Sequence, residues 1–217
     1  MFKYEVLILG ELNTNCYLLW EAENKEAVVI DAADDGVAIS EEIERLGLKL
    51  KYILATHGHF DHNLGALDLK LIYKVPYCAS EKDLFLLQRQ QSTAQKFLEK
   101  AIKIPNFKKI DIDLDKVEEI KLGNEKIKII KSPGHTPGGL SFLAGEYLFT
   151  GDTVFAGGLR GDTKHSYGST KDIFASICNL MKEGGETIIL SGHGEETTVG
   201  RARDLVNCNY CQLPDLG

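Results

Sequence analysis

The segment Thr56–His62 reads THGHFDH and carries three histidines and an aspartate, in a chain that has only six histidines. It follows KYILAT (51–56), a short β-branched and aromatic run that predicts a buried strand. His57 and His59 are one residue apart, so on an extended backbone both side chains project to the same side. Asp61 and His62 come next, where a helix can begin. Imidazole and carboxylate donors crowded on a loop at a strand's end match what a borderline-soft divalent ion prefers. A lone histidine is usually satisfied by a hydrogen bond in the core. Three of them with an aspartate are poorly explained that way.

The other histidines extend the pattern. His135 lies in SPGHTPGG after the run EKIKIIK, Asp152 in LFTGDTVFAGG after EYLFT, and His193 in IILSGHGEETT after ETIIL. Each stands just past a strand-like run in a glycine-containing loop, so one sheet edge could gather them all. His57, His59, Asp61, His62, His135, Asp152 and His193 are too many donors for one tetrahedral zinc, which takes four ligands. They suit two ions with a bridging carboxylate and room for water. Such a pair can lower the pKa of a water, hold a carbonyl or phosphoryl oxygen, and steady a leaving group. Closed structural zinc sites usually recruit cysteine, and no cysteine lies in these loops. The pattern therefore reads as catalytic.

The periodicity along the chain predicts a layered α/β architecture. YEVLIL (4–9), NCYLLW (15–20) and EAVVIDA (26–32) read as strands, followed by a helix over 36–48 with Val37, Ile39, Ile43, Leu46 and Leu48 on one face and Gly47 as its stop. Helices are expected at 62–73 and 80–99. Strands are expected at 109–114, 125–132, 140–145 and 146–151, then a helix at about 170–182, a strand at 186–191 and a last helix at about 196–206. Two similar halves of this kind predict a sandwich of sheets flanked by helices, in one domain spanning 1–217 with its core at about 5–206.

A net charge of −7 argues against a general nucleic-acid footprint. No secretory leader or membrane-length apolar stretch is evident, so a cytoplasmic location is expected. The five cysteines do not form a disulfide framework: Cys16 and Cys78 read as buried small hydrophobes, and the CNYC of Cys208 and Cys211 is weak evidence for metal or redox work.

THGHFDH has the form T-H-x-H-x-D-H, and with PGHTPGG, FTGDTVFAG, SGHGEETT and the early NTNCYLL it resembles the metallo-β-lactamase superfamily over about residues 5–200. The resemblance is greatest to the short glyoxalase II-like (hydroxyacylglutathione hydrolase-like) hydrolases. It implies an αββα sandwich of two mixed sheets with a binuclear metal centre at the open edge. His57, His59 and His135 would hold one ion; Asp61, His62 and His193 the other; Asp152 would bridge both. The implied reaction is attack on a thioester, S-lactoylglutathione or a related 2-hydroxyacyl thioester, by a metal-bridging hydroxide that Asp61 helps to orient. Zinc is the favoured metal, with iron or manganese as alternatives.

The chain also departs from that family. Two-domain glyoxalase II enzymes hold glutathione with basic residues of a C-terminal helical extension, whereas only residues 194–217 follow His193. The loop GLRGDTKHSYGS (158–169) differs from many relatives and offers Arg160, Lys164 and Tyr167 as candidates for gripping an anionic thioester, with a solvated loop as the equal alternative. His165 is expected on the surface. A small-molecule thioester is the expected partner, without nucleic acid or membrane. The competing readings are a mononuclear-iron persulfide dioxygenase using His57, His135 and Asp152, a lactonase or other ester hydrolase, and a non-catalytic metal-binding module.

Overall fold

A computed structural model describes residues 1–101 and 103–207; Cys208 and Cys211 lie outside the described residues. The first sheet holds strands β1 (Phe2–Leu9), β2 (Thr14–Glu21), β3 (Glu26–Ile30), β4 (Lys49–Leu54), β5 (Tyr77–Ala79) and β6 (Ile112–Asp113) in that order. The first three are antiparallel and the rest join in parallel. The second sheet holds β7 (Glu119–Leu122), β8 (Glu125–Lys131), β9 (Leu140–Ala144), β10 (Tyr147–Gly151), β11 (Ile188–Ser191) and β12 (Thr197–Thr198). It is antiparallel except for the parallel pair β10–β11.

The packing explains why the strands read as continuous apolar runs. All of β2 is buried, and its side chains alternate between two cores. Tyr17 and Leu19 join Val28, Leu54, Ile127, Phe142 and Phe149 between the sheets. Cys16 and Leu18 join Val29, Ile53, Ile39, Ile43 and Leu69 beneath helices α1 (Gly36–Leu46) and α2 (Ala66–Tyr73). The outer face of the second sheet supplies Ile130, Leu148 and Ile189. These pack on Ile173 and Ile177 of α5 (Thr170–Leu180) and on Ala202 and Val206 of α6 (Val199–Asn207). Fully buried side chains such as Phe142 and Phe149 each contribute about 1.5–3 kcal/mol of transfer free energy. The result is the four-layer αββα sandwich.

Several elements differ from their sequence-based bounds. α1 ends at Gly47 in the left-handed conformation (φ 63°), as expected, but Val37 is 58% exposed rather than on the buried face. The helix expected over 62–73 is a 3-10 turn, Phe60–His62, followed by α2. The helix expected over 80–99 divides into α3 (Leu84–Leu87) and α4 (Gln90–Leu98). At its start, Asp83 is drawn into the core to accept hydrogen bonds from Gly58 N, Gly138 N and Thr136 Oγ1 at 2.6–2.8 Å. The strand expected over 109–114 shrinks to two residues beside β5, and β7 is an additional strand whose burial alternates at Ile120 and Leu122. The last helix starts three residues late because Thr197–Thr198 pair with β11.

Candidate metal centre

The parallel strands β3 and β4 end side by side, and Asp31 just beyond β3 builds the floor of the site. Its buried carboxylate accepts from Thr56 N and Thr56 Oγ1, both at 2.7 Å, and from His62 Nδ1 at 2.9 Å. Because the Thr56 hydroxyl gives its proton to Asp31, its oxygen accepts from His57 Nδ1–H at 3.0 Å. His57 and His62 therefore both present Nε2 to the centre. Asn63 closes the loop, donating to His57 O and His59 O at 3.0 and 2.7 Å while accepting from Tyr77 OH at 2.6 Å.

His135, Asp152 and His193 arrive from the second sheet, while His59 and Asp61 share the loop after β4. His135 gives Nδ1–H to Asp162 O at 2.7 Å, and His193 gives Nδ1–H to Leu12 O at 3.1 Å, so each of these also turns Nε2 inward. His59 is the exception: Tyr167 OH lies 3.0 Å from its Nε2, leaving Nδ1 facing the centre. Asp152 leaves β10 with Oδ1 3.6 Å from His62 Nε2 and Oδ2 3.5 Å from His135 Nε2. Asp61 Oδ2 accepts from Thr14 Oγ1 at 3.1 Å and stands 3.4 Å from His193 Nε2. β11 passes so close that a Cβ on Gly192 would stand 2.3 Å from Asp152 Oδ1.

These donors fit metal ions better than they fit one another. His57 Nε2, His62 Nε2 and Asp152 Oδ1 are buried without a hydrogen-bond partner. His59 Nδ1 and His135 Nε2 are 2.9 Å apart. A proton on His59 Nε2, donated to Tyr167 OH, would leave two lone pairs facing each other there, an arrangement a shared cation would relieve. Donor atoms of His57, His59 and His135, of His57, His62 and Asp152, and of Asp61, His62 and His193 each lie within 4.8 Å of one another. The first two groups share His57, and the last two share His62.

Electrostatics separates the donors. Burial, reinforced by neighbouring imidazoles, holds His57 well below the usual histidine range and lowers His59 to about 3, so both keep lone pairs free. His62 is opposite: burial lowers it, but Asp61, Asp31 and Asp152 outweigh that and raise it to about 10. Burial raises Asp61, yet His62, His193 and His59 hold its carboxyl below the usual range.

Residues 9–195 match the profile of the metallo-beta-lactamase superfamily. The chain belongs to that superfamily. Hydroxyacylglutathione hydrolase GloC of Haemophilus influenzae is 35% identical over 206 residues, covering 92% of this chain and 94% of its own. Among solved structures, TTHA1623 in a di-iron-bound form is 28% identical, with a TM-score of 0.80 over 95% of this chain and 98% of that one. The BLEG-1 B3 metallo-beta-lactamase is 29% identical, with a TM-score of 0.85 over 93% and 97%. The protein is thus a metal-dependent hydrolase of the metallo-beta-lactamase fold. Among its described residues, no helix is long and apolar enough to cross a membrane.

The loop 158–169 divides the three candidate grip residues. Tyr167 stands at the centre, bound to His59 and edge-on to Phe85 at 5.5 Å. His165 is exposed but stacks on Tyr167 at 5.0 Å and 11°. Arg160 places its guanidinium 5.0 Å over Phe174 and donates to Gly161 O and Thr163 Oγ1 within its own loop. Lys164 is exposed to solvent. Sequence reasoning missed the supports Asp31, Asn63, Asp83 and Thr14. Only the position of Asp31, directly after the strand run EAVVI, carried a signal for any of them.

Proposed function

We propose that this protein is a binuclear metal-dependent hydrolase of thioesters, with S-lactoylglutathione or a related 2-hydroxyacyl thioester as substrate. His57, His59 and His135 would hold one ion, Asp61, His62 and His193 the second, and Asp152 would be shared. Zinc is the favoured metal, with iron or manganese as alternatives. The observation that carries the reading is the set of buried, partnerless donors at His57 Nε2, His62 Nε2 and Asp152 Oδ1, with both rings held in place by hydrogen bonds on their far sides. The 35% identity to a hydroxyacylglutathione hydrolase supports the thioester substrate.

When bound, a pair of divalent ions supplies a water acidic enough to attack at neutral pH and a Lewis acid for the carbonyl oxygen. The protein's own residues provide orientation. Asp61, kept ionised by its neighbouring imidazoles and held by Thr14 Oγ1, is an acceptor that can align the attacking water. Tyr167 fixes the ring of His59 through Nε2. A departing thiolate has a conjugate pKa of about 8.5, so the leaving group needs little help from a protein acid.

The test is hydrolysis of S-lactoylglutathione by metal-analysed protein, followed by loss of thioester absorbance. Turnover should vanish with chelator, return with metal, and be abolished in Asp152→Ala with near-native circular dichroism. Two ions without thioester turnover would turn the search to other esters, lactones and β-lactams. A single iron with oxygen uptake on persulfides would replace the proposal with the dioxygenase reading.

A further inference from the structure

Beside the metal-binding loop lies a cleft of about 540 Å³, within the ordinary range for a small-molecule site. It begins at His59 and runs along α4, with Phe60, Phe85 and Tyr167 as apolar wall and Arg89, Gln90 and Lys96 as polar wall. Arg89 immediately precedes α4, its carbonyl accepting from Thr93 N, and Lys96 lies seven residues on, so they share a face and stand roughly 10 Å apart along the axis. Both are exposed, and neither makes a side-chain hydrogen bond or ion pair among the described residues. In a chain of net charge −7, two unpaired cations flanking one cleft are a local reversal of sign.

Gln90 packs the wall beside Arg89. It is 1% exposed; its Nε2 donates to Pro105 O at 2.6 Å, and its buried Oε1 has no donor. The polar wall therefore offers two cations for carboxylates.

We propose that this cleft seats the thiol half of the substrate and selects an anionic thiol through Arg89 and Lys96. The inference rests on the thioester reading above. A thiol of tripeptide length spans about 10 Å when extended, matching the separation of the two cations. The acyl carbonyl would lie at the His59 end, and the thiol's carboxylates would lie along α4. This assigns the anion grip to α4 rather than to Arg160, whose guanidinium is engaged within its own loop.

The experiment compares S-lactoylglutathione with S-lactoyl-N-acetylcysteamine, which has the same acyl group on an uncharged thiol. Both are offered to metal-loaded wild-type protein and to Arg89→Ala/Lys96→Ala. The ratio of kcat/KM for the charged over the uncharged substrate should fall about tenfold in the double variant, chiefly through KM. Equal losses on both substrates, or none on either, would overturn the proposal. Binding of S-methylglutathione is read in parallel by calorimetry and should weaken about tenfold in the double variant and with added salt. If the wild type cleaves neither thioester, the thioester reading fails while calorimetry still decides the cleft. Equal binding by wild type and variant, or no binding by the wild type, would sink it.

Discussion

At the scale of single residues, the centre is governed by groups that would not touch an ion. Asp31 joins Thr56 and His62 through three hydrogen bonds, and so decides which nitrogen of His57 and of His62 faces inward. Asp31→Asn retains an oxygen for Thr56 N but sets an amide N–H where Oδ2 accepted from both Thr56 Oγ1 and His62 Nδ1–H. Metal affinity should fall about 10- to 100-fold while the fold survives, as read by competition with a chromogenic chelator. Unchanged affinity would mean that His62 does not depend on Asp31 for its tautomer. The donors themselves were legible in the sequence because neither core packing nor solvation calls for imidazoles and carboxylates crowded beyond strand-like runs. Asp31 and Asp83 were not, since a buried carboxylate identifies its partners only after distant segments meet.

At the scale of elements, each donor loop is placed by the strand it leaves, and the tolerance is narrow where β10 and β11 run side by side. Gly192 donates to Gly151 O at 2.9 Å and accepts from Asn15 N at 2.8 Å, so its backbone is pinned from both sides. A Cβ there would meet Asp152 Oδ1 at 2.3 Å and His62 Cε1 at 2.6 Å. Gly192→Ala should therefore displace both side chains, destabilise by about 1–3 kcal/mol, and lower metal retention after dialysis at least about tenfold. Full metal occupancy in that variant would show that β11 can give way. Element type was readable from periodicity for the long strands and for α1 and α5. The 80–99 segment was misread as one helix because its pattern is helical throughout, whereas the tie of Asp83 to Gly58 and Gly138 is a tertiary contact.

Across the whole molecule, three apolar cores hold the sandwich together, and the donor loops meet at one edge of it. The cores do not require the ions, so metal removal should loosen the edge without unfolding the chain. Ions that bind only the folded state add about 2.7 kcal/mol at one hundred times Kd. For a chain of this size, chelation should lower Tm by roughly 5–10 °C and leave far-UV circular dichroism unchanged at 25 °C. Loss of the far-UV signal on chelation would make the metal part of the fold itself.

The sequence by itself determined the layered class of the fold and marked the seven imidazole and carboxylate side chains that the fold gathers, because strand periodicity and the crowding of such groups are both local properties of residue type and spacing. Tertiary structure alone decided which nitrogen each histidine offers, since that depends on Asp31, Asp162, Leu12 and Tyr167, which are remote in sequence from the rings they orient. It also decided that Arg160 packs on Phe174 while Arg89 and Lys96 line the cleft beside His59. A charged side chain's partner is set by what the fold brings within a few ångströms, and no local pattern encodes that distance.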